Sequence, residues 1–217
     1  MSENRDKLNA LNLESIRMTS ANGTDLTVGL AEGHTWEGAC SKAENGAVFI
    51  ANVPTEEVFT APHRERVNGV VKGTKPYVYN GQLIEGFSVT FKDGRVVAHS
   101  AEKNDALLGE LLASDEGAAR IGEISLVPAS SPINRSGVLF YNTLFDENAA
   151  CHIAFGAGYP GTVRNGINLS KDELLALGVN DSAIHEDVMV GSADMTITGL
   201  CKDGRTVTIF EGGEWAL

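Results

Sequence analysis

The amino-acid sequence predicts an α+β fold: a largely antiparallel β-sheet or barrel-like domain with a few inserted helices. Two observations carry that expectation. Asn-Gly or Asp-Gly pairs recur between short β-rich runs, and helical periodicity is confined to isolated stretches. Both residues of such a pair tolerate positive φ, so the pair is the strongest short-range sign of a tight hairpin. At 217 residues the chain has room for one large domain with a substantial core. No repeat, low-complexity tract or Pro/Ser-rich linker divides it, so residues 1–217 are read as a single domain.

Taken in order, residues 3–12 are expected to form a short helix, with Leu8 and Leu11 spaced for one buried stripe. Asn22-Gly23 separates strand-like residues 15–19 from 26–30. Asn80-Gly81 separates 77–79 from 83–91, and Asp93-Gly94 then leads into 96–98. Residues 104–113 have helical periodicity. A further helix is expected from Asp146 through His152. Ser170-Lys171-Asp172-Glu173 is a capping box, with Ser170 as N-cap and Glu173 three residues on, and Gly178 stops that helix. Asp203-Gly204 joins 195–198 to 206–210.

Composition narrows the function classes. Seventeen basic residues against 29 acidic ones give a net charge of −12. No basic stripe exists to release counterions, which argues against nucleic acid and anionic membranes. An acidic surface would tolerate or attract a substrate with a free amine. Cys40, Cys151 and Cys201 are odd in number and lack CxxC spacing, so a reduced setting is expected rather than a disulfide framework. The polar N-terminus does not resemble a signal peptide, and no apolar run reaches the length of a membrane span. A soluble, cytoplasmic protein is expected.

Candidate chemistry lies in five possible metal ligands: Glu57, Glu123, His152, His185 and Asp187. Residues two apart in an extended segment share a face, so His185 and Asp187 can converge on one ion. Glu57 follows Glu56 between Pro54 and Pro62, beside apolar residues, an expensive setting for carboxylates unless cations neutralise them. Glu123 is a single acid in the apolar segment GEISLVP. Taken singly, each has a competing account as a buried salt bridge with one of the 17 basic residues. Together, three carboxylates and two imidazoles suit Zn, Co or Mn better than a thiolate site would. Cys151 beside His152 does not form a thiol-protease dyad, because helix neighbours diverge by about 100°. Cys151 is read as a small buried hydrophobe, and His63 and His99 as ordinary polar surface or turn residues with at most supporting roles.

Five stretches carry a family resemblance: Gly23-Thr24-Asp25-Leu26, NVPTEEVFTAP at 52–62, GEISLVP at 122–128, FYNTLFDENAACH at 140–152 and HEDVMVG at 185–191. In order and spacing they resemble the metal-dependent aminopeptidases of the M29 type across essentially the whole chain. Val188 stands where a bulkier apolar residue is expected. Family members have roughly twice this length, so the chain corresponds to their C-terminal, metal-bearing portion, without the N-terminal α/β domain. The resemblance implies a two-metal exopeptidase using zinc, cobalt or similar divalent ions. Glu57 and His152 would hold one ion, His185 and Asp187 the other, and Glu123 would bridge them. It further implies a homodimer that takes peptides with a free N-terminus. Tyr159 matches a tyrosine beside the metals, positioned to stabilise the developing oxyanion, and Glu56 is the candidate general base or amine-binding group. Two rivals stand beside this reading: another two-metal hydrolase such as a phosphoesterase, and a non-catalytic fragment whose carboxylates form salt bridges.

Overall fold

Asn22-Gly23, Asn80-Gly81, Asp93-Gly94 and Asp203-Gly204 each turn a hairpin, as expected. The computed structural model describes residues 1–43 and 45–217. In two hairpins both turn residues have positive φ: Asn80 and Gly81 (48° and 74°) and Asp93 and Gly94 (48° and 76°). That is the mirror-image turn whose twist matches the strands it joins.

The strands assemble into an eight-stranded and a five-stranded sheet, with two small two-stranded ribbons beside them. The larger sheet runs in the order Arg95–Ser100, Ser88–Lys92, Pro62–Lys72, Asp25–Leu30, Leu13–Thr19, Thr196–Cys201, Thr206–Glu211, Glu214–Trp215, antiparallel throughout. Along Leu13–Thr19, Ile16 and Met18 are buried while Glu14 and Arg17 are exposed, the alternation of a sheet with one face on a core. The smaller sheet is ordered His185–Met189, His152–Gly156, Ile121–Leu126, Val58–Thr60, Glu37–Gly38. Both sheets remain open, so the barrel-like alternative does not describe the architecture.

One apolar core joins the sheets. It takes Ile16, Val28, Val89 and Ile197 from the larger sheet, and Ile124, Ile153, Phe155 and Val188 from the smaller. Phe91 and Phe155 stack across the join with ring centroids 6.4 Å apart. Helices cap this core at its margins. Ser2–Leu11 buries Leu8, and Asp105–Leu112 buries Leu107, Leu108, Leu111 and Leu112. The Ser170 capping box is formed: Glu173 Oε2 accepts the Ser170 N–H at 2.8 Å, and Ser170 Oγ accepts the Glu173 N–H at 3.3 Å. It starts the helix Lys171–Ala176.

Two expected elements fall elsewhere. The 83–91 run divides into Gln82–Ile84, in a two-stranded ribbon, and Ser88–Lys92 in the larger sheet. No helix reaches from Asp146 to His152. Asn142 caps a short helix, Thr143–Asp146, and a 3-10 turn follows over Glu147–Ala149. Ala150 is extended (φ −161°, ψ 162°), and His152 opens the strand His152–Gly156. All five residues of that strand are buried. A strand covered on both faces has no period-two pattern to separate it from a buried helix.

Truncating Phe155 to alanine is expected to lower the unfolding free energy by about 3–5 kcal/mol in urea titrations, since it removes a buried aromatic at the join between the sheets. Val97→Ala, on an exposed position of the edge strand, is expected to change stability by less than about 0.5 kcal/mol.

Candidate metal centre

One face of the five-stranded sheet gathers all five candidate ligands. Asp187 faces Ala154, which faces Glu123 on the next strand; Gly156 pairs with His185. One step along, His152 pairs with Ser125, and Ser125 with Phe59. Glu57 lies two residues before Phe59, so strand alternation turns it to the same side. The 123–154–187 row has alanine at its centre, which leaves the space above it to the two flanking carboxylates. A bulge sets the register: Ile121 pairs with Phe155 and Glu123 with Ala154, leaving Gly122 unmatched. A side chain at Gly122 would run into the Ala157 carbonyl. Bulges of this kind re-aim the residues beside them, here Glu123.

The functional atoms converge. His152 Nε2 lies 3.2 Å from Glu57 Oε2, 3.6 Å from Glu123 Oε1 and 4.0 Å from Asp187 Oδ1. His185 Nε2 lies 3.4 Å from Asp187 Oδ1 and 3.7 Å from Glu123 Oε2. Two triads result, Glu57–Glu123–His152 and Glu123–His185–Asp187, with ligand atoms inside each within 4.8 Å of one another. Glu123 belongs to both.

Both imidazoles are oriented from behind. His152 Nδ1 donates to the Ala150 carbonyl at 3.1 Å, and His185 Nδ1 to the Ala157 carbonyl at 2.8 Å. A neutral ring donating through Nδ1 presents the Nε2 lone pair, which is how histidine is held for a metal. Ser125 Oγ donates to Glu57 Oε2 at 2.8 Å and fixes the first carboxylate.

Burial makes this arrangement costly without a cation. His152, Glu123 and Asp187 are 0, 5 and 8 % exposed. Among the described residues, neither lysine nor arginine pairs with Glu57, Glu123 or Asp187, so the salt-bridge account lacks its partner; their ion pairs run to the two imidazoles. His152 Nε2 and Asp187 Oδ1 are buried with no hydrogen-bond partner. Such groups are expensive unless something positive sits between them, and a divalent cation with O and N ligands fits the donor set.

The titration behaviour agrees. Burial pushes the Glu123 carboxyl up to about 7, against the opposing pull of the nearby His152 imidazole, and the charges of Asp187 and Glu57 add to the rise. Burial alone would depress His185, but the Asp187 carboxylate outweighs it and lifts the imidazole to about 9. His152 is likewise raised, Glu123 and Glu57 overcoming burial. The carboxylates favour positive charge at this spot, whether a proton or a cation.

Glu57, Glu123, His185 and Asp187 form the floor of a cleft of about 910 Å³, with His152 buried beneath them. Tyr159 stands at its rim, half exposed, with its ring centroid 4.6 Å from that of His185. Glu56 is placed differently from the sequence expectation. Thr55 and Glu57 line the cleft while the Glu56 side chain does not, and the Glu56 N–H donates to Asn148 Oδ1 at 2.7 Å. His63 and His99 also lie outside: His63 accepts the Glu65 N–H, and His99 pairs with Asp105 at 3.0 Å. Cys151 is a buried free thiol, exchanging hydrogen bonds with the Val127 backbone. Sequence reasoning missed Ser125, Ala154 and Glu147. The first is legible by alternation from Glu123; the others depend on pairing between distant strands and on the 3-10 turn.

Buried carboxylates and imidazoles converging on one sheet face make a candidate site for divalent cations. The chain belongs to the family described as thermophilic metalloprotease (M29), whose model matches residues 1–215. It is 54% identical over 196 residues to aminopeptidase 2 of Geobacillus stearothermophilus, covering 90% of this chain and 48% of that protein. It is 48% identical over 195 residues to aminopeptidase T of Thermus aquaticus, with 90% and 47% covered. The chain thus spans about half the length of the relatives it matches. The solved structure of wild-type AmpT from Thermus thermophilus superposes with a TM-score of 0.94 at 44% identity, covering 100% of this chain and 53% of that one. A 2,5-dihydroxypyridine dioxygenase from Pseudomonas putida KT2440 matches at TM-score 0.65 and 12% identity, over 98% and 57% of the two chains, and shows the fold alone.

Two outcomes follow from the geometry. Ala154→Leu drives a larger side chain between Glu123 and Asp187, so calorimetric titration with Zn is expected to show at least about a tenfold loss of affinity at a stability cost of roughly 1–3 kcal/mol. In chelator-treated protein, His185 rises from 6.5 to about 9 on folding and Glu123 from 4.5 to about 7. A raised folded value gives stability that is present at low pH and lost as pH climbs through it. The melting temperature of the metal-free protein is therefore expected to fall from about pH 4.5, where Glu123 begins to ionise in the unfolded chain, to about pH 9, where folded His185 loses its proton, and saturating divalent cation to flatten that fall.

Proposed function

We propose that this chain carries the catalytic centre of a dinuclear metalloaminopeptidase, which hydrolyses the N-terminal peptide bond of peptides. The observation that supports it most is the sharing of Glu123 between two ligand triads. Glu57 and His152 would hold one divalent ion, His185 and Asp187 the other, with zinc or cobalt fitting the mixed O and N donors. Bound there, the ions supply Lewis acidity and a nucleophile available near neutral pH.

The remaining steps belong to the protein. Burial, aided by the surrounding carboxylates, pushes the Tyr159 phenol up to about 12. It stays protonated at neutral pH and can donate to the oxyanion that develops on the scissile carbonyl. The desolvated floor strengthens that interaction. Ser125 and the Ala150 and Ala157 carbonyls hold the ligands in place, so little reorganisation accompanies reaction.

The cleft disfavours the phosphoesterase rival. Among the described residues no lysine or arginine lines it, whereas Glu37, Glu57, Glu123, Glu147, Glu186 and Asp187 do. An anionic substrate would be repelled and a peptide ammonium attracted. The family's aminopeptidase relatives favour the same choice. A homodimer and a cytoplasmic setting complete the proposal; the second rests on three free cysteines.

Metal-loaded protein is expected to cleave an aminoacyl anilide and not a nitrophenyl phosphate, and chelator to abolish the activity. The reverse preference would establish the phosphoesterase. Glu123→Gln is expected to release both equivalents of metal in elemental analysis; loss of one equivalent would show that it does not bridge. Tyr159→Phe is expected to retain metal and lower kcat on the order of 10²-fold, the usual cost of one oxyanion donor.

A further inference from the structure

An exopeptidase that removes N-terminal residues must recognise an α-ammonium beside its metal floor, and this inference rests on the aminopeptidase reading above. Recognition needs a carboxylate that the cations leave free. Glu57, Glu123 and Asp187 are committed as ligands. Glu186 also lines the cleft, but it alternates with His185 and Asp187 along their strand, which turns its side chain from the face that carries them. Glu37 accepts a hydrogen bond from Thr35 Oγ1 at 3.0 Å.

Glu147 is different. It opens the 3-10 turn Glu147–Ala149, whose flanking polar side chains are consumed locally. Asp146 accepts the backbone N–H groups of Phe140 and Asn142 at 2.8 and 3.1 Å. Asn148 accepts from Glu56 N and donates to the Leu144 carbonyl at 3.1 Å, while its own carbonyl accepts from Ser131 Oγ at 2.6 Å. These bonds fix the turn from both sides and leave the Glu147 side chain over the cleft, with Thr143 and Leu144 of the same segment beside it. It shares the cleft lining with Asp187 and Tyr159. Among the described residues no lysine or arginine pairs with it.

We propose that Glu147 anchors the α-ammonium of the substrate, placing the first peptide carbonyl between the metal floor and Tyr159. An anchor that requires a free ammonium selects the first residue of a chain, and so gives aminopeptidase rather than endopeptidase specificity. The amine-binding role that sequence alone suggested for Glu56 thus falls to a residue on a different segment.

The test compares two ligands on the zinc-loaded chain by calorimetry: leucine hydroxamate and its analogue lacking the amine, 4-methylpentanohydroxamate. Wild-type protein is expected to bind the amine-bearing compound roughly 10- to 100-fold more tightly, the range of one charge-assisted hydrogen bond. Glu147→Gln should erase that preference while leaving metal stoichiometry and the affinity of the amine-free compound unchanged. Glu147→Asp should retain part of it. A preference that survives Glu147→Gln overturns the proposal. So does loss of zinc in that variant, which would show that Glu147 serves to orient Asp187. Zinc-loaded wild-type protein that binds neither hydroxamate would instead overturn the aminopeptidase reading itself, and this inference with it.

Discussion

Everything at the site depends on one constraint: alternation along an antiparallel sheet whose second face is also buried. Strand residues two apart share a side, so Ser125 with Glu123, Ala154 with His152 and Asp187 with His185 arrive in register from three strands. The opposite face of the same strands carries Ile124, Ile153 and Val188 into the core. A one-residue slip would exchange the two sets, burying charge in the core and apolar side chains in the cleft. Packing of the apolar face therefore enforces the geometry of the polar one. The Gly122 bulge and the small Ala154 adjust it locally, the first by re-aiming Glu123 and the second by leaving room between carboxylates.

Electrostatics on that face are unfavourable by design of the donor set rather than by accident of packing. Glu123, Asp187 and His152 are buried and Glu57 and His185 partly so, and among the described residues no lysine or arginine pairs with the three carboxylates. The energy of that desolvation is recovered when cations arrive, which couples ion binding to folding stability. Backbone carbonyls at Ala150 and Ala157 select the ring nitrogen that faces inward, so the imidazoles are prepared before any ion binds.

Legibility in the sequence followed the range of the interaction concerned. Local chemistry was readable: Asn80-Gly81 and Asp93-Gly94 turn hairpins because their φ values are tolerated there, and Ser170 caps its helix because Glu173 stands three residues on. The His185–Asp187 pair was readable from strand alternation alone. Chain segments buried on both faces were not. His152–Gly156 is buried on both faces and has no polar alternation, so nothing in it separates a strand from the helix expected through His152, where a 3-10 turn leads into a strand. Glu56 and Glu147 mark the same limit. The family resemblance pointed to an acidic neighbourhood around residue 57, but which carboxylate reaches the cleft depends on Asn148 tying down the Glu56 backbone from 92 residues away.

Anomalous diffraction from crystals grown with zinc or cobalt tests the shared-carboxylate centre most directly. Two peaks are expected on the five-stranded sheet, one against Glu57 and His152 and one against His185 and Asp187, with Glu123 touching both. A single peak, or ions bound only away from this face, would contradict the account.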